Sequence, residues 1–294
     1  MNILENISAF QNLIYIAASI LFITGIKMLG KEDTAVKGNF LSALAMLIAV
    51  VITFLDPDVQ VNPYLILAGI GVGATVGSLI ALKVKMTSIP EMVALFNGFG
   101  GLATFFIAWS EFNSVPDNTF QYVLIMLTTY IGGVTFSGSI VAYGKLSEKL
   151  KIQKTSIITK FFTTIFYVSI IYLIYSILIA NIFIPPFDFF IVLLALTLLG
   201  GIGFVIPIGG GDMPVVISLL NSFSGIAAAF AGLLLLNNVL IVAGSLVGAS
   251  GLILTVIMAK AMNRSIGNIL FVGYASSPSG SKSEETGEVK PINV

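Results

Sequence analysis

A chain of 294 residues with 57% hydrophobic and 10% charged side chains, at a mean hydropathy of +1.03, is not a water-soluble globule, which carries roughly a quarter charged residues. Its 14 basic and 14 acidic residues cancel, and the basic ones are not interleaved with aromatics, so nothing here draws nucleic acid. Cysteine and histidine are both absent, which excludes disulfides, cysteine nucleophiles, Cys/His zinc sites, histidine-ligated haem and histidine-based proton transfer within the chain.

Crossing the hydrocarbon core takes about 20 apolar residues. The N-terminus, MNILENISAF, has no basic n-region and no cleavage site, so the first span, 8–28, is expected to be a retained anchor. Lys27, Lys31 and Lys37 flank the loop to span two, 38–55. Span three, 63–83, carries Gly69, Gly73 and Gly77 at four-residue spacing, a stripe that lets helices approach closely. Its GIGVGA matches a dinucleotide fingerprint but lacks the preceding strand that the fingerprint needs, so it reads as packing. Span four, 89–110, opens with Pro90 and Glu91 and holds Asn97. Span five, 119–143, contains GGVTFSGS, ending at Ser139, and leads into a loop with Lys145, Lys149, Lys151, Lys154 and Lys160. Spans 161–183 and 187–206 follow. The turn PIGGGDMP then sets Asp212 and Pro214 at the start of span eight, 213–235, where an acid and a proline both suit a helix N-terminus. As a phosphate loop it lacks a closing Lys, Ser or Thr, and it suits contact with a soluble domain. Span nine, 239–261, contains GSLVGASG, with Ser250 and Gly251.

The chain is therefore expected to be an all-α polytopic membrane protein of about nine transmembrane helices, in two parts: 1–273 in the membrane and 274–294 as a polar linker or tail, rich in Ser, Gly and charge. Every Lys and Arg falls on one side of the spans, while the alternate loops hold Asp56, Asp58, Glu111, Asp117 and Asp188. The positive-inside rule makes the basic side cytoplasmic, with the N-terminus outside and the C-terminus inside.

The polar residues inside the spans carry the functional signal. IPEMVALFNGFGGLATFF (89–106) and MPVVISLLNSFSGIAAAF (213–230) are identical at seven of 18 ungapped positions, and each sets Asn seven residues after Pro. Asn97 and Asn221 thus lie about 10 Å along their helices, inside the hydrocarbon. An unpartnered amide there costs several kcal/mol, so both are expected to face the bundle interior. The plainer alternative is interhelical bridging, worth about 0.6 to 2 kcal/mol. Ser218, Asn221 and Ser222 can share one face, and with the runs around Ser139 and Ser250 they could hold a file of water; close packing by small residues is the competing reading. Glu91 and Asp212 stand at the cytoplasmic mouths of the two repeated helices. A secondary transporter or channel built on a parallel repeat is a second functional reading.

MTSIPEMVALFNGFGGLA, GGVTFSGSIVAYGKL, GGGDMPVVISLLNSFSGIAAAFAGLLL and VGASGLILTVIMAKAMNRS closely resemble the beta subunit of proton-translocating NAD(P) transhydrogenase, over about residues 10 to 275. The resemblance implies a membrane subunit coupling proton translocation to hydride transfer between NADH and NADP+. It implies NAD(H) on an alpha subunit partner and NADP(H) on a domain beyond a linker like 274–294, with no cofactor or metal on this chain, which alone is then inactive. A dimer of the whole complex and a bacterial plasma membrane location are further expectations. Carried over, Asn221 matches a polar residue of the proton path, Asp212 a mouth carboxylate that couples to the NADP(H) domain, Ser250 and Gly251 the small-residue stretch of the adjacent helix, and Arg264 a basic residue leading into the linker. Where the family has a histidine as its titrating group, this chain has Asn97. Asn97 can orient water but takes no proton near neutral pH, leaving Glu91, Asp212, bound water or a partner residue to titrate. The expected proton path is Asn97, Asn221, Ser139, Ser222, Ser250 and Gly251, with Asp212, Glu91 and Arg264 at the coupling mouth.

Overall fold

Caps and prolines set where these helices begin. The computed structural model describes residues 3–55, 62–114, 116, 118–150, 157–180, 182 and 186–271, with side chains from Phe10 to Leu270. The tail 274–294, and Asp56, Asp58, Asp117, Lys151 and Lys154, lie outside the described residues. Ten α-helices run α1 (Ile3–Leu29), α2 (Glu32–Phe54), α3 (Pro63–Lys83), α4 (Ile89–Asn113), α5 (Thr119–Leu146), α6 (Ile157–Ala180), α7 (Phe187–Val205), α8 (Met213–Leu234), α9 (Asn238–Ala261) and α10 (Ile266–Phe271). Among the described residues there is no strand, and nine helices are long and apolar enough to cross a membrane. The fold is all-α, as the composition requires.

Asn62, Asn118 and Asn237 cap α3, α5 and α9 by accepting from the backbone N–H of Tyr64, Gln121 and Leu240. The two repeated helices start differently from these but like each other. A single 3-10 turn, Met86–Ser88 or Gly210–Asp212, leads into α4 or α8, and Pro90 or Pro214 occupies its first turn. The repeat in sequence is thus a repeat in local structure.

The ends extend beyond the hydropathy windows. Helix α2 begins at Glu32, not residue 38, because Glu32 and Asp33 suit the positive end of a helix dipole although they depress hydropathy. Helix α6 starts at Ile157, and the short α10 was not anticipated.

Helix α5 lies at the centre, packed against α4, α6, α7 and α8, and the pairs α8/α9, α4/α8, α6/α7 and α1/α2 complete the bundle. One apolar core, including Ala142, Val205, Met213, Val216 and Leu220, fills the end where α5 and α7 finish and α8 begins, hereafter the Asp212 end. A second, around Tyr122, Leu193 and the stacked rings of Phe112 and Phe190 at 4.1 Å, fills the opposite end. The α1/α2 pair meets the rest chiefly through α1 and α9. An apolar groove of about 360 Å³ crosses that region, lined by residues such as Phe22, Met46, Ile66 and Leu240. Helix α3 buries none of its residues, and a Cβ built on Gly69, Gly73 or Gly77 would meet nothing within 4 Å. The close packing expected of that stripe does not occur among the described residues.

Candidate functional site: a polar cluster and a paired helix mouth

Glycines bring the helices of the site together. On α4, a Cβ at Gly101 would meet the Gly132 carbonyl of α5 at 2.8 Å, and one at Gly98 would stand 3.1 Å from Ser139 Cβ. On α8, a Cβ at Gly225 would meet Gly248 Cα of α9 at 2.9 Å, and on α9 one at Gly251 would meet Ser222 Cα of α8 at 2.9 Å. Backbones this close leave room for hydroxyls and little else.

Asn97 occupies the meeting point of α4, α5 and α8. Its amide Nδ2 donates to Ser139 Oγ at 3.0 Å, and its Oδ1 accepts from Ser224 Oγ at 2.7 Å. Ser224 also lies 2.8 Å from the main-chain carbonyl of Asn221. Ser139 is fully buried, while Asn97 and Ser224 are half-buried. One turn along α5, Thr135 is also fully buried, and its hydroxyl has no hydrogen-bond partner among the described residues; the same holds for Thr129. Asn97 therefore faces the interior, as expected. Asn221 is half-buried and makes no side-chain hydrogen bond among the described residues; it reaches the cluster through its backbone.

The other serines of α8 turn the opposite way. Ser222 Oγ donates to the Gly248 carbonyl at 2.6 Å and Ser218 Oγ to the Gly251 carbonyl at 3.3 Å, with Thr255 Oγ1 donating to Ser218 at 3.1 Å. Ser218 and Ser222 share the face toward α9 and hold that seam, which is a packing role. Gly251 belongs to the same seam. Ser250 is exposed on α9 and its hydroxyl returns to the Val247 carbonyl of its own helix at 3.1 Å.

At the Asp212 end, the Asp212 side chain is 9% exposed and its Oδ1 lies 3.4 Å from Arg264 Nη1. Local backbone geometry brings Arg264 there. Asn263 takes the left-handed conformation (φ 53°), and the Arg264 N–H then bonds back to the Ala259 carbonyl at 3.0 Å, which closes the end of α9. Glu91, half-buried in the first turn of α4, lines a polar cup of about 410 Å³ with Ser88, Ser147, Glu148 and Lys149 and forms no ion pair among the described residues.

The structure therefore joins Asn97 to Ser139, and Asp212 to Arg264, and sets Ser222 and Gly251 on a separate seam. Ser224 was not among the expected path residues; the signal that could have placed it was its three-residue offset from Asn221, which turns it toward α4. The GIGVGA run lies inside α3, so nothing among the described residues offers a strand–loop–helix cradle for a dinucleotide.

Residues 11–294 match the family model for the NAD(P) transhydrogenase beta subunit. Among curated proteins the chain is similar to the NAD(P) transhydrogenase subunit beta of Rhodospirillum rubrum, at 38% identity over 271 residues, covering 89% of this chain and 58% of that protein. The same subunit from a designated strain of that species gives the same figures. The chain thus spans somewhat over half the length of these relatives.

Proposed function

The chain belongs to the NAD(P) transhydrogenase beta subunit family, and from that membership we propose that it is the proton-conducting membrane part of the enzyme, coupling proton translocation to hydride transfer between NADH and NADP+. In this reading NAD(H) is held by alpha subunit partners and NADP(H) by a further domain, the assembly is a dimer in a bacterial plasma membrane, and this chain alone transfers no hydride. Its Asp212 end is cytoplasmic.

The observation that carries the reading is Asn97, an amide hydrogen-bonded to two hydroxyls from two other helices in the middle of an apolar bundle. Such an amide takes no proton near neutral pH. It orients water that moves between the cluster and the Asp212 end, where Glu91 and the Asp212–Arg264 pair stand. Asn221 and Ser139 are proposed to flank the same route, and Ser222, Ser250 and Gly251 to border it on the adjoining α8/α9 side.

The test is NADPH-driven proton uptake, with an NAD analogue as hydride acceptor, in inverted vesicles carrying this chain and its co-encoded partners. Uptake that requires this chain, and that falls about tenfold or more in Asn97→Leu, supports the conduit; a tenfold change corresponds to about 1.4 kcal/mol of barrier. Hydride transfer with no uptake would remove the proton-conducting role.

A further inference from the structure

A lysine that the mouth described above does not use is seated at the same end. Lys145, the penultimate residue of α5, is half-buried and extends across to α7. Its Nζ donates to the main-chain carbonyls of Val205 at 3.2 Å and Ile208 at 2.7 Å, and also to that of Ile206. An ammonium has three N–H donors, and here all three have acceptors in one short segment. The seat is chemically apt: the last carbonyls of a helix lack intrahelical partners and carry the negative end of its dipole. It is also enclosed, since Val205, Ile206 and Ile208 are all at most 3% exposed.

This seat is the start of the turn that delivers Asp212. Beyond Ile208 the segment runs through Gly209, Gly210 and Gly211, and a Cβ on either of the last two would meet nothing within 4 Å. The turn is thus held at its two ends by two cations: Lys145 of α5 grips the carbonyls at its beginning, and Arg264, just past the end of α9, pairs with the carboxylate at its end. On α5, Lys145 stands six residues beyond Ser139, about 9 Å along the axis, and Ser139 carries the Asn97 bond. One helix therefore touches both the buried cluster and the turn.

We propose that Lys145 is a positioning residue that ties the Asn97 cluster to the Asp212 turn, its ammonium fixing the turn against α5 so that displacement at either place is transmitted to the other. The proposal rests on the proton-conducting reading above. It does not place Lys145 on the proton route.

The test compares the parent with Lys145→Met, which keeps the stem and removes the donors, and Lys145→Arg, which keeps charge and donors. Deuterium exchange is read on the full chain in lipid nanodiscs, for peptides covering 203–213, with α1 and α2 as an internal control for folding. In vesicles carrying the assembled complex, the ratio of protons taken up to hydride transferred is read alongside. The expected result is exchange in 203–213 faster by about tenfold in Lys145→Met with the control helices unchanged, a lowered proton-to-hydride ratio, and recovery of both in Lys145→Arg. Unchanged exchange in Lys145→Met overturns the seat. Faster exchange with an unchanged ratio overturns the positioning role, as does a fall in both rates at constant ratio, which is mere loss of structure. Absence of hydride-linked uptake in the parent overturns the functional reading and the link to it, while the exchange result still judges the seat by itself.

Discussion

Asn97 donates to one serine and accepts from another, so its amide has a fixed sense between α5 and α8. An amide neither gains nor releases a proton near neutral pH, so in the proposed proton-conducting reading charge passing this point would travel on water beside Asn97 and not through it. Asn97→Leu would leave the fully buried Ser139 hydroxyl without its partner while Ser224 keeps the Asn221 carbonyl, at a cost of about 1 to 3 kcal/mol for the unmet buried group, and is expected to lower hydride-linked proton uptake about tenfold in the vesicle assay. Asn97→His introduces a titrating group with an ordinary value of about 6.5. Uptake by that variant should therefore acquire a pH-dependent step that the parent lacks; a pH series on both decides it. The inward direction of Asn97 was legible in the sequence, because an amide in an apolar helix has to find partners. Which hydroxyls it finds was not, since a serine in a helix can bond its own backbone, as Ser250 does, and only the register between helices decides.

At the scale of the helix, the repeated motif encodes a way of pairing. In both copies a proline and a 3-10 turn start the helix, and a glycine four residues beyond the asparagine admits the backbone of the following helix, Gly101 against α5 and Gly225 against α9. Adding even a methyl group at Gly101 would press on a carbonyl and on Thr135, and overpacking of this kind costs about 1 to 3 kcal/mol or more. Gly101→Val is expected to lower the melting temperature in detergent by several degrees, read by loss of helical circular dichroism. The end of α9 makes a second prediction. Asn263→Val places a β-branched side chain in the left-handed region, where an L-residue loses about 1 to 2 kcal/mol, and it should displace Arg264 from Asp212. Asn263→Gly should be tolerated, and comparing the proton-to-hydride ratios of the two variants separates backbone geometry from side-chain loss. The helices themselves were legible because lipid allows few alternatives, apart from charged first turns such as Glu32–Asp33, which favour a helix while lowering hydropathy. The pairing of α8 with α9 through Ser218 and Ser222 was not legible, because serine reads equally as water-bearing or as packing.

Across the whole molecule, the proposed orientation has a direct check. The chain has no native cysteine, so single cysteines at Lys31 and Asn62 should be labelled from the cytoplasmic and outer faces respectively by an impermeant maleimide. The glycines of α3 meet no neighbour, so Gly73→Leu should change the stability of the isolated chain by no more than about 0.5 kcal/mol. The bundle is also unevenly knit: α4 to α9 interlock around α5, while α1 and α2 join them chiefly along α1 and α9, beside an apolar groove. Cooperative melting needs contacts that are lost together, and a narrow junction uncouples the parts on either side. Heating the isolated chain should therefore give two calorimetric transitions, the earlier one confined to α1 and α2. Gly101→Val should lower only the later transition.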